Sequence, residues 1–404
     1  MRAQSLHLAR TLSDADATVQ SMPDASPAKW HLAHTTWFFE TFVLGPHAPG
    51  YTPADSAWHY LFNSYYEALG PRHERPRRGL LTRPTLNEVV AWRAQVDAAV
   101  SSLLAAAPPP AVVDLVELGC QHEEQHQELL LTDVLHLFAC NPLEPACFPA
   151  RPELPHAAAA PPSAMLSVPG GIYAFGHSGP GFAFDCEGPS HERLLESFRI
   201  AAAPVTNREW RAFMADGGYT DPRWWLSDGW ATCRREDWAA PLYWRERDGD
   251  WTVFTLTGRR PVEWDAPVCH VSFYEADAYA RWAGKRLPTE FEWEAAFATE
   301  PVAGHFADSE AFRPQPASGA ASASPAQVYG DVWEWTASPF TPYPRFRSAE
   351  GALGEYNGKF MANQFVLRGG SCASPAEHLR ATYRNFFPPE ARWQFSGLRL
   401  AEDV

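Results

Sequence analysis

Over the first 140 residues the apolar positions recur with a helical period, whereas beyond about residue 200 they do so only in short pieces. Four helical stretches are expected in the first part. One lies near residues 5–21. A second opens at Ser26-Pro27, where serine suits a cap and proline a first turn, and runs through Trp37 and Phe42 to a stop at Gly45. A loop-rich stretch, His47 to Pro84, precedes a third helix from Thr85 to Ala106, which Pro108-Pro109-Pro110 ends. The fourth spans Val112 to Phe138. Four such helices make a bundle over residues 1–142. Prolines and a run of alanines from 143 to 163 have semi-rigid linker composition, which sets a domain boundary. Residues 164–404 hold 13 of the 17 tryptophans, many Gly and Pro, and two credible helices, Thr206–Met214 and Phe273–Ala283. That texture is a loop-rich domain of small sheets, so the fold class is α+β. Pro314 to Gln327 reads as a surface loop.

Charge narrows the partners. The net charge is −15 and only three lysines occur, Lys29, Lys285 and Lys359. Without a basic stripe, nucleic acid and anionic membranes are not expected partners. The first 20 residues show no apolar signal core, and no apolar run approaches the ~18 residues of a membrane span. A cytoplasmic location is expected. Seven cysteines without Cys-x-x-Cys pairs argue against a disulfide framework or a zinc ribbon. The oligomeric state is not readable.

The chemistry starts from His122 and His126, in Gly119-Cys120-Gln121-His122-Glu123-Glu124-Gln125-His126. On a helix they lie on one face, one turn apart, which suits one metal ion. Such a pair is often only a solvated face. Here Leu129, Leu130, Leu131, Val134 and Leu135 follow, so the helix packs in a core, where imidazoles need partners or a metal. A third ligand is needed. His34 in Trp30-His31-Leu32-Ala33-His34 is the candidate, with His31 its competitor.

Longer motifs carry a resemblance. Pro204-Val205-Thr206-Asn207-Arg208-Glu209-Trp210, Gly284-Lys285-Arg286-Leu287-Pro288-Thr289-Glu290, Gly330-Asp331-Val332-Trp333-Glu334-Trp335, Val366-Leu367-Arg368-Gly369-Gly370-Ser371 and Gly397-Leu398-Arg399-Leu400 resemble, in order, the formylglycine-generating-enzyme domain, which has a C-type-lectin-like fold. The first part resembles a DinB-like four-helix bundle. Together they are similar to the ergothioneine-pathway sulfoxide synthases (hercynine oxygenases) and their sister group, selenoneine synthase. Trp30-His31-Leu32-Ala33-His34-Thr35-Thr36-Trp37 and Asn63-Ser64-Tyr65-Tyr66-Glu67 point to one branch.

The resemblance implies a non-haem Fe(2+) enzyme that uses O2 to bond sulfur or selenium to imidazole C2 of hercynine (trimethylhistidine). The implied iron ligands are His34, His122 and His126. Gln125 would contact the hercynine imidazole, and Tyr65 or Tyr66 would deliver a proton to reduced oxygen. Arg75 and Arg78 could dock a donor carboxylate, although a solvated arginine run has the same appearance. Asn385 would bind the amino-acid end of hercynine, and Phe386 or Phe387 would face the trimethylammonium. The cysteine pair needed to make formylglycine has no match, Cys269 and Cys372 being isolated, so the domain reads as a lid.

Donor identity divides the family. Sulfur enzymes carry a lysine where this chain has Leu135, and an arginine where it has Ala376. Losing two cations suits an uncharged selenosugar better than an amino-acid thiol, so the reading leans to selenium. The alternative is a sulfoxide synthase using cysteine or γ-glutamylcysteine. More distant rivals are a DinB-type metal-dependent thiol transferase and a non-enzymatic binding module.

Overall fold

The computed structural model describes residues 1–149, 164–317, 324–350 and 352–404. The expected linker thus lies, from residue 150 on, outside the described residues, as do residues 318–323 of the Pro314–Gln327 stretch. The chain forms two compact units, residues 1–148 with 349–356, and residues 149–348 with 357–404. The return of 349–356 to the first unit has no counterpart in the sequence pattern.

The first unit is helical. Arg2–Ala9 (α1) and Asp14–Thr18 (α2) stand where one longer helix is expected, because Ser13 starts a new helix by a reciprocal capping box with Asp16. Ala28–Phe38 (α3) continues into a π-helical stretch, Phe39–Leu44. Ser26 does not cap α3; its backbone N–H instead donates to Asp133 at 2.7 Å. Leu86–Ala105 (α4) begins with a Thr85/Glu88 capping box, and Pro110–Cys140 (α5) begins on proline. Gly119 of α5 lets the π-helical stretch come close, since a Cβ there would sit 2.7 Å from the Phe39 ring. A buried ion pair joins α4 to α5: Arg93 donates to Glu123, which also accepts from Arg2 of α1 at 2.9 Å. Burial would raise the Glu123 carboxyl, but Arg93 and Arg2 outweigh it and hold it at about 2.

The second unit is built on small sheets. Its four-stranded sheet runs Asn385–Phe387, Phe365–Arg368, Trp333–Pro339, Ser396–Leu398, the last pair parallel. A three-stranded sheet pairs Met165–Val168 and Ala401–Asp403 with Phe198–Ala201. Helices Asn207–Ala215 and Phe273–Trp282 match the expectation, each opened by a capping box. Ser227–Arg235 and Glu290–Phe297 are further helices of the described residues. The family motifs converge on buried ion pairs. Arg399 lies 2.7 Å from Glu334 and also donates to the carbonyls of Ala201, Ala326 and Gln327. Arg368 and Arg384 share Glu290, and Arg368 also reaches Glu294 at 2.8 Å.

Candidate metal centre

Helices α3 and α5 bring three imidazoles together. One ring nitrogen from each of His34, His122 and His126 lies within 4.8 Å of the others. The ring centroids are 4.6–4.9 Å apart. His34 is wedged between Trp30 and Trp37, stacked at 4.6 Å and 5.5 Å. Its Nδ1–H donates to the Phe62 carbonyl at 2.6 Å, so Nε2 is the nitrogen left to ligate a metal. That Nε2 is buried without a hydrogen-bond partner, and so are both nitrogens of His122. An unsatisfied buried polar group costs about 1–3 kcal/mol, a cost that a bound ion would remove.

The electrostatics agree. Burial pushes the His122 imidazole down to about 3. Burial, and then the charge His122 would carry, push His34 and His126 well below the ordinary histidine value. All three rings are therefore neutral at pH 7, the form that ligates metals. Three neutral, mutually close imidazoles, two of them with buried unpartnered nitrogens, fit a divalent transition ion.

His31 is not a member of the cluster. Its Nδ1 lies 2.8 Å from His126 Nδ1 and its Nε2 lies 3.0 Å from Asp133. Of the two upstream candidates, His34 meets the pair and His31 stands behind it.

One phenol packs against the cluster and two more pack beside it. Tyr66 is fully buried, its ring 4.6 Å from Tyr65 and 5.5 Å from Trp37. Burial, then the neighbouring phenols of Tyr65 and Tyr356, lift its pKa well above 10, so it stays protonated. Tyr356, absent from the sequence reading, packs 5.5 Å from His122 and 6.1 Å from Tyr65. Its hydroxyl donates to Gln125 Oε1. Glu355 anchors this segment by accepting the backbone N–H groups of Glu67 and Ala68 at 3.0 and 2.9 Å. The one signal available in the sequence was an isolated tyrosine in a loop.

The arginines separate. Arg75 is exposed, whereas Arg78 is 1% exposed, its guanidinium 3.4 Å from the Trp30 ring centroid. Arg78 donates to Ser26 Oγ at 2.9 Å and Ser64 Oγ at 3.1 Å. The image of a uniformly solvated arginine run is thus corrected at Arg78. Leu135 is 1% exposed and lies nine residues past His126, roughly half a revolution around α5 at ~3.6 residues per turn. It faces away from the cluster, so the lysine-to-leucine difference carries no information about a pocket there.

In the second unit, Asn385, Phe386 and Phe387 form the edge strand of the four-stranded sheet, all half-buried. Asn385 Oδ1 accepts the Phe386 backbone N–H at 2.9 Å. Phe386 stacks on Phe340 at 4.1 Å, and Phe387 meets Trp393 edge-on at 6.0 Å.

Known proteins match both parts of the chain. Residues 1–130 match the DinB superfamily, and 151–323 with 309–404 match the sulfatase-modifying factor enzyme 1-like domain. The hercynine oxygenase of Mycolicibacterium smegmatis is 36% identical over 431 residues, covering 100% of this chain and 97% of that protein. The chain belongs to the hercynine oxygenase family. The Mycobacterium tuberculosis hercynine oxygenase is 35% identical, again over 100% of this chain. A formylglycine-generating enzyme of Streptomyces coelicolor is 30% identical but covers 63% of this chain and 95% of its own length. The likeness to hercynine oxygenases therefore includes the helical unit that carries the histidines, beyond the domain shared with formylglycine-generating enzymes. Among the described residues, no helix is long and apolar enough to cross a membrane.

Proposed function

We propose that this chain is a non-haem Fe(II), O2-dependent enzyme that forms a carbon–chalcogen bond at imidazole C2 of hercynine, with a selenosugar as the first candidate donor. The observation that carries the reading is the cluster of His34, His122 and His126, which are neutral and close together, with buried unpartnered nitrogens on His34 and His122. A ferrous ion held there would supply O2 activation and open coordination positions for substrates.

The remaining work falls to side chains. Gln125, whose Oε1 accepts from Tyr356, carries the amide N–H donors that an acceptor nitrogen of hercynine requires. Tyr65 or Tyr66 supplies a proton to reduced oxygen, since burial keeps the Tyr66 phenol protonated. Asn385 takes the amino-acid end of hercynine. Phe386, stacked on Phe340, or Phe387, edge-on to Trp393, is the ring for the trimethylammonium.

The donor reading rests on Ala376, where a cation of the sulfur enzymes is missing. Arg78 donates to two serine hydroxyls but keeps a buried Nε without a partner, so it could still take a donor carboxylate, which keeps cysteine and γ-glutamylcysteine as the alternative donors. The deciding experiment is anaerobic reconstitution with iron(II), then hercynine and O2 with a selenosugar, cysteine or γ-glutamylcysteine in turn. Mass spectrometry is expected to find the C–Se product. A sulfoxide from either thiol, with no selenium product, would move the chain to the sulfur branch. Turnover with zinc and no O2 demand would favour a thiol transferase. Tyr65→Phe or Tyr66→Phe is expected to divert O2 chemistry to oxidation of the donor; unchanged products in both would remove the proton-donor role.

A further inference from the structure

A line of polar side chains stands behind the histidine cluster, and nothing above gives it a task. Asp133 Oδ2 accepts the Ser26 backbone N–H at 2.7 Å and lies 3.0 Å from His31 Nε2. His31 Nδ1 in turn lies 2.8 Å from His126 Nδ1. His31 and Asp133 are 3% and 7% exposed, so water does not substitute for these bonds.

A cation held by His126 would oppose a second positive charge on His31, and with both rings neutral one proton arrangement satisfies the whole line. A carboxylate only accepts, so His31 Nε2 carries the proton and donates to Asp133. His31 Nδ1 is then an acceptor, and His126 Nδ1 must carry a proton and donate to it. The bare nitrogen of His126 is therefore Nε2, the atom left to meet His34 and His122. His34 reaches the same state through the Phe62 carbonyl. His126 reaches it through a line that ends in a negative charge, and His122 has neither support. The three rings are thus unequal donors.

We infer that His31 and Asp133 are positioning residues of the metal centre: they lock His126 in its Nε2-ligating tautomer and make it the most electron-rich of the three imidazoles. The inference rests on the reading of the cluster as a metal site. A metal bound at Nε2 acidifies the Nδ1–H, and the hydrogen bond to His31, backed by the Asp133 charge, then strengthens. The line should raise metal affinity and favour the ferric over the ferrous state.

The test uses the full chain with cobalt(II) and iron(II) as probes. Anaerobic chelator competition gives affinity, redox titration gives the ferric/ferrous potential, and thermal melting without metal reports folding. His31→Phe should weaken affinity roughly 10–100-fold. His31→Gln, whose amide offers an acceptor and a donor, should recover part of that loss. Asp133→Asn keeps an acceptor for Ser26 and His31 but removes the charge, so its potential should shift positive. Should His31→Phe fail to fold, the Asp133→Asn potential decides. Wild-type affinity in His31→Phe, or a wild-type potential in Asp133→Asn, would overturn the inference while leaving the metal site standing. A wild-type protein that binds neither metal would remove the parent reading and this one together.

Discussion

The buried arginines of the second unit and the clustered histidines of the first are opposites, although the first unit also pairs Arg93 with Glu123. In the second, each buried arginine of the motif strands is matched: Arg399 with Glu334, Arg368 with Glu290 and Glu294, Arg384 with Glu290, Arg392 with Glu275. In the first, His34 and His122 are buried as deeply and hold nitrogens with no hydrogen-bond partner. Paired burial holds a fold together; unpaired burial waits for something the chain does not contain. The contrast separates motif residues that build the second unit from residues proposed to do chemistry in the first.

Truncation should expose that contrast most strongly. His122→Ala is expected to abolish turnover and metal binding together. It should also erase the stabilisation that metal gives the wild type, which reaches ~4 kcal/mol when metal stands ~1,000-fold above its Kd. Without metal the same variant should melt close to the wild type, by comparison with Arg399→Ala. Full activity, or an intact metal-induced shift, would break the comparison.

Arg399→Ala comes next. Removing one partner of a buried pair typically costs ~3–5 kcal/mol, and Arg399 also serves three backbone carbonyls. Urea unfolding should show a loss of that size, with or without metal. A loss below ~1 kcal/mol would mean that the second unit does not depend on its paired charges as argued.

Gly119→Ala tests how closely helices must approach to set the histidines. The new methyl would meet the Phe39 ring at 2.7 Å, one turn before His122. Overpacking of this kind costs ~1–3 kcal/mol, against a gain of up to ~1 kcal/mol in helix propensity. A net loss of stability and weaker metal binding are expected. A more stable variant with wild-type affinity would show that the approach is not needed.

The smallest effect is a pH slope. Burial, only partly offset by donation from Gln315 and Gln327, raises the Asp331 carboxyl to about 7. Its folded pKa then exceeds its unfolded value, near 3.9, so the folded state binds the extra proton. Asp331 should stabilise fully below pH ~4, lose that contribution as the pH rises to about 7, and show no further change above. Asp331→Asn, which suits the left-handed backbone at φ 57, should remove this slope. An identical pH profile in the variant would contradict it.

Much of this was legible in the chain because local chemistry repeats. The His122/His126 spacing and the Thr85/Glu88, Thr206/Glu209 and Ser272/Glu275 capping boxes announce their helices within a few residues, while Pro110, read as part of a stop, is the first residue of α5. The helix Glu290–Phe297 carries the same signal in Thr289 and Glu292 but is only eight residues long, too short for a periodic face to show. Long-range features left no such trace. Tyr356 reaches His122 from 234 positions away, through a loop with no period. Arg78 looks like its exposed neighbour Arg75 until Trp30 is placed beneath it. Leu135 looked informative beside the metal motif, yet helical geometry turns it to the far side of α5.

The central claim is that one ferrous ion sits among three imidazoles of the helical unit. Anomalous diffraction at the iron edge, on crystals loaded anaerobically with iron(II), tests it without any assay. The account predicts a single strong peak bonded to Nε2 of His34, Nε2 of His126 and one nitrogen of His122. A peak elsewhere, or one that excludes any of these rings, would contradict it.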